Sequence, residues 1–221
     1  MSQRRSLTTL FTILALVACP LAAKELPKTT KDGLELVKQH ELGAVYVKPG
    51  ASLQAYDKII LVDTAVAFAK NWQRDFNEEH MMRGRISDQD MQIIKQNVAK
   101  EFKTRFTKVL EKGGYTITET IGPDVMVLRP AIVDLEVTAP ASLTELAGIE
   151  VVRDAGELTL YMEIYDSVTS SKFAEVIDRE VAGTGFARQA NQVTNKAALD
   201  QVLDRWADLL RKRLDEAHGK K

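Results

Sequence analysis

Two long runs of apolar residues at helical spacing constrain this chain more than any other feature in it. Met91, Ile94, Val98, Phe102, Phe106, Val109 and Leu110 fall mostly three or four residues apart, so they share one side of a helix with a period of about 3.6 residues. Leu199, Val202, Leu203, Trp206, Leu210 and Leu214 repeat the pattern near the C-terminal end, with Asp, Arg and Lys on the far side. Such a stripe is stable only against another apolar surface, so each helix needs a sheet face to cover. The first helix also carries its own boundaries. Ser87 can cap the free amides with Asp90 three residues on, Ile86 and Met91 are placed for a hydrophobic staple, and Gly113-Gly114 ends the run.

The sheet is encoded in the segments between and before these helices. Val45-Tyr46-Val47 is a short strand stopped by the Lys48-Pro49-Gly50 turn, and Lys58-Ile59-Ile60-Leu61-Val62 is a continuous apolar run, as in strands buried on both faces. Asn71 to Arg85 is polar but carries Trp72, Phe76, Met81 and Met82, and reads as a loop or broken helix. Tyr115 to Thr120 alternates, and the Gly122-Pro123-Asp124 turn sends the chain into Val125-Met126-Val127-Leu128. Beyond Pro130, Val133, Leu135 and Val137 face one way and Ile132, Asp134 and Glu136 the other. Leu158, Leu160, Met162 and Ile164 oppose Thr159, Tyr161, Glu163 and Tyr165, and a turn from Ser167 to Lys172 leads to Phe173 through Val181, an antiparallel hairpin. The order strand, strand, helix, four strands, helix predicts an α+β fold: one curved, largely antiparallel or mixed sheet of about six strands, with two long amphipathic helices packed on one face. The link from Ile59 through the first helix to Tyr115 is a candidate parallel crossover.

Ahead of the folded part stands a leader pattern. Leu7 to Ala18 are mostly Leu, Ile, Ala, Val and Phe, behind the basic pair Arg4-Arg5 and ahead of Pro20. That matches a signal-peptide core and falls short of the roughly 20 apolar residues a spanning helix needs. The flanks of Arg4-Arg5 fit an ordinary basic n-region better than a twin-arginine signal. Two cleavage outcomes compete. Leu16-Val17-Ala18-Cys19 matches a lipobox, giving a leader of residues 1–18 and a diacylated Cys19, the only cysteine in the chain. Several acyl chains hold a protein firmly on a membrane, since each buried methylene adds about 0.8 kcal/mol. A cut after Leu21-Ala22-Ala23 makes the leader residues 1–23, and Cys19 then departs as a small apolar residue of the leader core. Both outcomes export the chain.

Residues 24–41 mix Lys, Glu, Thr, Pro27 and Gly33 with few large apolar side chains and read as a flexible tether or a loosely docked arm, with 42–217 as a single globular domain. With Cys19 acylated or removed no intrachain disulfide can form, so packing alone must hold the fold in an oxidising compartment. A hydrophobic content of 45% and a charged content of 28% are ordinary for a globular protein, and a net charge of -1 with both signs interspersed lacks the basic stripe of a nucleic-acid binder.

Few residues are spaced for catalysis or metal binding. His40, His80 and His218 are scattered over tail, loop and C-terminus, so neither a metal set nor the base of a Ser-His-Asp triad is in view, and no cofactor is expected. Asp134 and Glu136, two apart on a strand, are candidates for an acid–base or cation-binding pair but fit a solvated sheet face better. Gly183-Thr184-Gly185 lacks the third glycine and the acidic ribose partner of a dinucleotide site. Tyr161, Tyr165 and Trp72 make an aromatic recognition patch only if the outer sheet face is exposed.

Val45-Tyr46-Val47-Lys48-Pro49-Gly50, then Leu53 and Tyr56-Asp57-Lys58, a long helix, Asp166-Ser167 in a hairpin turn, and finally Arg205-Trp206-Ala207 with Leu214 resemble the bacterial family named domain of unknown function 3313. The resemblance runs from Gly43 to Glu216 and departs between Ala139 and Gly156, where the family has a longer, Gly-rich apolar loop. It implies an exported lipoprotein of a Gram-negative cell envelope and supplies no catalytic residue.

These readings lead to a non-enzymatic cell-envelope protein facing the periplasm, tethered to the outer membrane through lipid at Cys19 or soluble, and acting as an interaction or scaffold module for an unidentified envelope partner. The alternative is a periplasmic carrier or sensor of a small apolar, lipid-like ligand held between sheet and helices, motivated by Met81, Met82, Met91, Met126 and Met162, whose flexible side chains suit an adaptable pocket. It requires a lined cavity of several hundred cubic ångströms. A third reading, an envelope hydrolase, requires a histidine within reach of Ser or Asp in a cleft.

Overall fold

Strand alternation and helix stripes meet in two layers in the computed structural model, which describes residues 26–37, 41–80, 85–137, 150–152, 156–182, 188–190 and 192–220. In chain order the elements are β1 (Glu35–Leu36), β2 (Ala44–Val47), β3 (Lys58–Leu61), β4 (Ala65–Phe68), α1 (Trp72–Glu79), α2 (Asp88–Lys112), β5 (Thr116–Ile117), β6 (Val125–Val137), β7 (Glu150–Val152), β8 (Gly156–Asp166), β9 (Lys172–Ala182), β10 (Arg188–Ala190) and α3 (Gln192–Ala217).

Eight strands form the main sheet in the order β1-β2-β9-β8-β6-β3-β5, with β4 also paired to β6, while β7 and β10 pair separately. The ladder is antiparallel from β1 to β6 and parallel where β3 meets β5 and β6 and where β4 meets β6. The expected crossover from β3 through α2 to β5 is therefore parallel. The sheet has more strands than the six expected because β1 and β4 each contribute a short additional rung. Neither segment is long enough to show a clear alternation, and pairing with a longer neighbour makes it a strand.

Both long helices form on the stripes that define them. Ser87 Oγ accepts from the Asp90 amide at 3.2 Å while Asp90 returns a bond to the Ser87 amide at 2.9 Å, the reciprocal cap its spacing calls for. Val98, Phe102, Phe106 and Leu110 of α2 and Val202, Leu203, Trp206, Leu210 and Leu214 of α3 share one core with Ile59, Met126, Leu128, Ile132, Leu160 and Ile164 of the sheet. Phe102 and Phe106 stack at 4.0 Å between ring centroids. Where the helices touch at their polar margins, Arg105 bonds Glu101 at 2.9 Å and Asp204 at 3.0 Å and also pairs with Asp200, and Lys196 reaches Glu101 at 2.9 Å. The Arg105 hydrogen bond, helped by Lys196, holds the Glu101 carboxyl down to about 2 against the upward push of burial. α1 makes its own small cluster, with Trp72 and Phe76 packed around Ile86.

Three expectations change in detail. β6 does not alternate through to its end: the register with β8 slips between Val133 and Glu136, with Asp134 in the left-handed region at φ 51°. That bulge lets Ile132 and Leu135 both enter the core, where strict alternation had put them on opposite faces. β3 buries Ile59 and Leu61 and leaves Lys58 and Ile60 half-buried, so it is covered fully on one face only. The described part of the expected tether is docked. β1 pairs with β2, and Leu34 is fully buried with Ala44 and Tyr46 against Ile177, on the sheet face opposite the helices. Burial of one leucine and a two-rung ladder fix a segment whose composition is that of a linker.

Candidate functional site

Along β2, Val45 and Val47 alternate with the outward Ala44 and Tyr46 and so point to the helix side of the sheet. α3 packs beside β9, and an apolar cavity of about 490 Å³ opens between the helix and the sheet. Its floor is the inner face of three strands: Val45 and Val47 of β2, Leu160, Met162 and Ile164 of β8, and Phe173, Ala174 and Val176 of β9. Its roof is α3, through Trp206, Leu209, Leu210, Arg213 and Ala217, and its rim is Val37, Glu41, Leu42 and the Ala51-Ser52-Leu53 turn. The volume falls in the range of sites that enclose a drug-sized molecule. Of the methionines that suggested an adaptable pocket, Met162 lines the cavity, Met126 is fully buried in the core, Met91 packs beside Ile86, and Met81 and Met82 lie outside the described residues.

One carboxylate fastens the roof to the floor. Asp178 stands on β9 at a position whose neighbours of the same parity, Ala174 and Val176, face the core, and it is buried. Its Oδ1 accepts from the Gly43 amide at 2.7 Å, and its Oδ2 from Trp206 Nε1 at 2.7 Å and from Arg205 Nη2 at 2.6 Å. Arg205 also pairs with Glu180 and donates to the Glu41 carbonyl at 3.0 Å. Burial pushes the Glu180 carboxyl up, against the pull of Arg205 and with a further push from Asp178. A buried carboxylate is tolerable only when its acceptor sites are filled by donors, as they are here. Sequence reasoning missed this clamp, although an acidic residue at core parity two positions after Val176 was its visible signal.

A second set of bonds holds the hairpin turn beside the cavity. Tyr56 stacks on Phe173 with centroids 5.3 Å apart and donates to Asp166 at 3.0 Å. Asp166 accepts from the Thr169 amide at 2.7 Å, and Ser167 Oγ donates to the Gly122 carbonyl at 2.8 Å.

The remaining sequence leads are dispersed. Tyr161 and Tyr165 lie on the outer face of β8 and both donate to Glu163, at 3.3 and 2.9 Å. Glu163 and Glu175 in turn bind Lys172 at 3.1 and 3.0 Å, and Asp32 completes the pairing. Trp72 packs instead on Phe68 and Phe76, so the three aromatic residues form no common patch. Asp134 and Glu136 are separated by the bulge, and both are exposed. His80 and His218 each donate from Nδ1 to the carbonyl four residues back, Phe76 and Leu214. Cys19, His40 and Gly183-Thr184-Gly185 lie outside the described residues. Among the described residues no group of three or more His, Cys, Asp or Glu is placed to hold a metal ion, and no helix is long and apolar enough to cross a membrane.

The profile of the family described as "Protein of unknown function (DUF3313)" matches residues 28–210. The chain belongs to this family. No curated protein matches it. Among solved structures, the DUF3313 chain is loosely similar to the PelC dodecamer from Paraburkholderia phytofirmans, at 14% identity and a TM-score of 0.35, over 74% of this chain and 98% of that one. It is similar to the same degree to a minor lipoprotein from Acinetobacter baumannii, at 11% identity and a TM-score of 0.34, over 74% and 94%. Likeness at this level carries no functional information.

The Asp178 clamp yields a stability prediction for the DUF3313 fold. Asp178→Ala strands the Trp206 and Gly43 donors and loosens Arg205, and is expected to cost about 3 kcal/mol in urea unfolding. Glu180→Gln, at the margin of the same cluster, is expected to cost less than half as much.

Proposed function

We propose that this protein is an exported, non-enzymatic component of a bacterial cell envelope that carries or senses an apolar, lipid-like ligand in the cavity beneath α3. The observation that carries the reading is the cavity itself. Its walls are Val, Leu, Ile, Met, Phe and Trp side chains, and apolar surface kept from packing forgoes about 25 cal/mol for each Å² that contact would have removed from water. A fold with a single scaffolding role gains more by closing α3 down on β2. Leaving the gap open makes sense if a ligand supplies the missing contact.

The leader supports placement at the periplasmic side of the envelope, and a lipidated Cys19 would hold the domain near the outer membrane, where lipid-like ligands are at hand. Binding, in this reading, is driven by burial of an alkyl or aryl body, and Met162 lets the floor adapt to its shape.

The neutral dye N-phenyl-1-naphthylamine tests the reading directly. The purified mature domain is expected to raise its fluorescence saturably, and Ala174→Phe, which fills the cavity from the floor, is expected to abolish that rise while leaving the circular dichroism spectrum and melting temperature close to the parent's. No saturable enhancement by the parent protein would sink the carrier reading.

A further inference from the structure

The rim of the cavity is charged where its body is apolar. Glu41 and Arg213 both line it, and the Glu41 carboxylate spans two cations of α3, Lys212 Nζ at 2.9 Å and Arg213 Nη2 at 2.6 Å. Arg213 also reaches Glu216 through its other nitrogen at 2.9 Å. The bracket is open to solvent, with Lys212 52%, Arg213 47% and Glu41 37% exposed at their side chains. A carboxylate of the chain itself thus demonstrates that an anionic oxygen pair fits between these cations.

The backbone at this point is held independently of that side chain. Arg205 binds the Glu41 carbonyl and Asp178 binds the Gly43 amide. Displacement of the Glu41 carboxylate from Lys212 and Arg213 leaves these two backbone bonds in place. What it releases is Arg213, which lines the apolar chamber, and its neighbour Lys212 just outside it.

From this juxtaposition we infer that the ligand is a single-chain anionic amphiphile, whose tail lies on Val45, Met162 and Val176 and whose carboxylate or phosphate head replaces Glu41 between Lys212 and Arg213. The inference rests on the cavity binding proposed above and adds the chemistry of the head. Charge-assisted hydrogen bonds are stronger than those to a neutral oxygen, so an anionic head gains more from Lys212 and Arg213 than an alcohol does, and a cationic head gains nothing from that pair.

The test is displacement of N-phenyl-1-naphthylamine from the mature domain by a series sharing one tail: dodecanoate, dodecyl phosphate, dodecanol and dodecyltrimethylammonium, each below its micelle concentration. The two anions are expected to displace the dye roughly tenfold or more better than the alcohol, and the cation worst. Their relative strength distinguishes a fatty-acid-like from a phosphate-bearing source. Glu41→Gln, which removes the internal competitor, is expected to tighten dodecanoate and leave dodecanol unchanged. Lys212→Gln with Arg213→Gln is expected to bring the anions and the alcohol to the same displacing strength, each referred to that variant's own affinity for the dye. Equal displacement by all four compounds, or preference for the cation, overturns the anionic head and leaves the apolar cavity standing. Failure of the dye itself to bind overturns both.

Discussion

The buried carboxylate of Asp178 is the contact on which the cavity side of the structure depends. In one group it joins β9, the Gly43 backbone at the entry to β2, and the Arg205-Trp206 pair of α3. These bonds fix α3 near its middle over the sheet, and a space of about 490 Å³ lies between the helix and the strands beneath it. The opposite half of the sheet behaves differently. There Phe102, Phe106 and Leu110 of α2 are fully buried in one core with Ile59 of β3 and Met126 and Leu128 of β6.

This division between a packed half and a hollow half gives the family resemblance a physical meaning. Val45, Val47 and Leu53 line the cavity, and Trp206 both lines it and donates to Asp178. Tyr56 and Asp166 lock the turn that presents Phe173 to it, and Arg205 ties the rim to the helix. Residues that looked like scattered, moderately specific motifs in the chain are gathered around one chamber. None of them is arranged as a nucleophile with a base. They surround one space, the feature on which the proposed carrier or sensor role rests.

Much of the fold was legible because its signals are periodic and local. The cap at Ser87, the stripes of α2 and α3, and the inward Leu158-Leu160-Met162-Ile164 row each follow from spacing alone. The misreadings arose where a tertiary contact overrides local pattern. The bulge at Asp134 reset the phase of β6, and nothing in the alternation announces one extra residue. Residues 26–37 have the composition of a linker, yet pairing with β2 and burial of Leu34 recruit them into the sheet. The cavity was anticipated in kind, through the methionines, but among the described ones only Met162 lines it. Its location was hidden because an unfilled space is a property of how two faces fail to meet, and no single residue encodes that. The Asp178 clamp was within reach, as a charged residue at core parity paired with a Trp on an apolar stripe.

The central claim is that an apolar ligand occupies the space between α3 and β2, β8 and β9. Methyl-resolved NMR of the mature domain, titrated with N-phenyl-1-naphthylamine, tests it most directly. The account predicts shifts concentrated at Val45, Leu160, Met162, Ile164 and Val176, with Ile59 and Met126 of the packed half unmoved. Shifts confined to the outer sheet face around Leu34 and Ile177, or none at saturating dye, would contradict it.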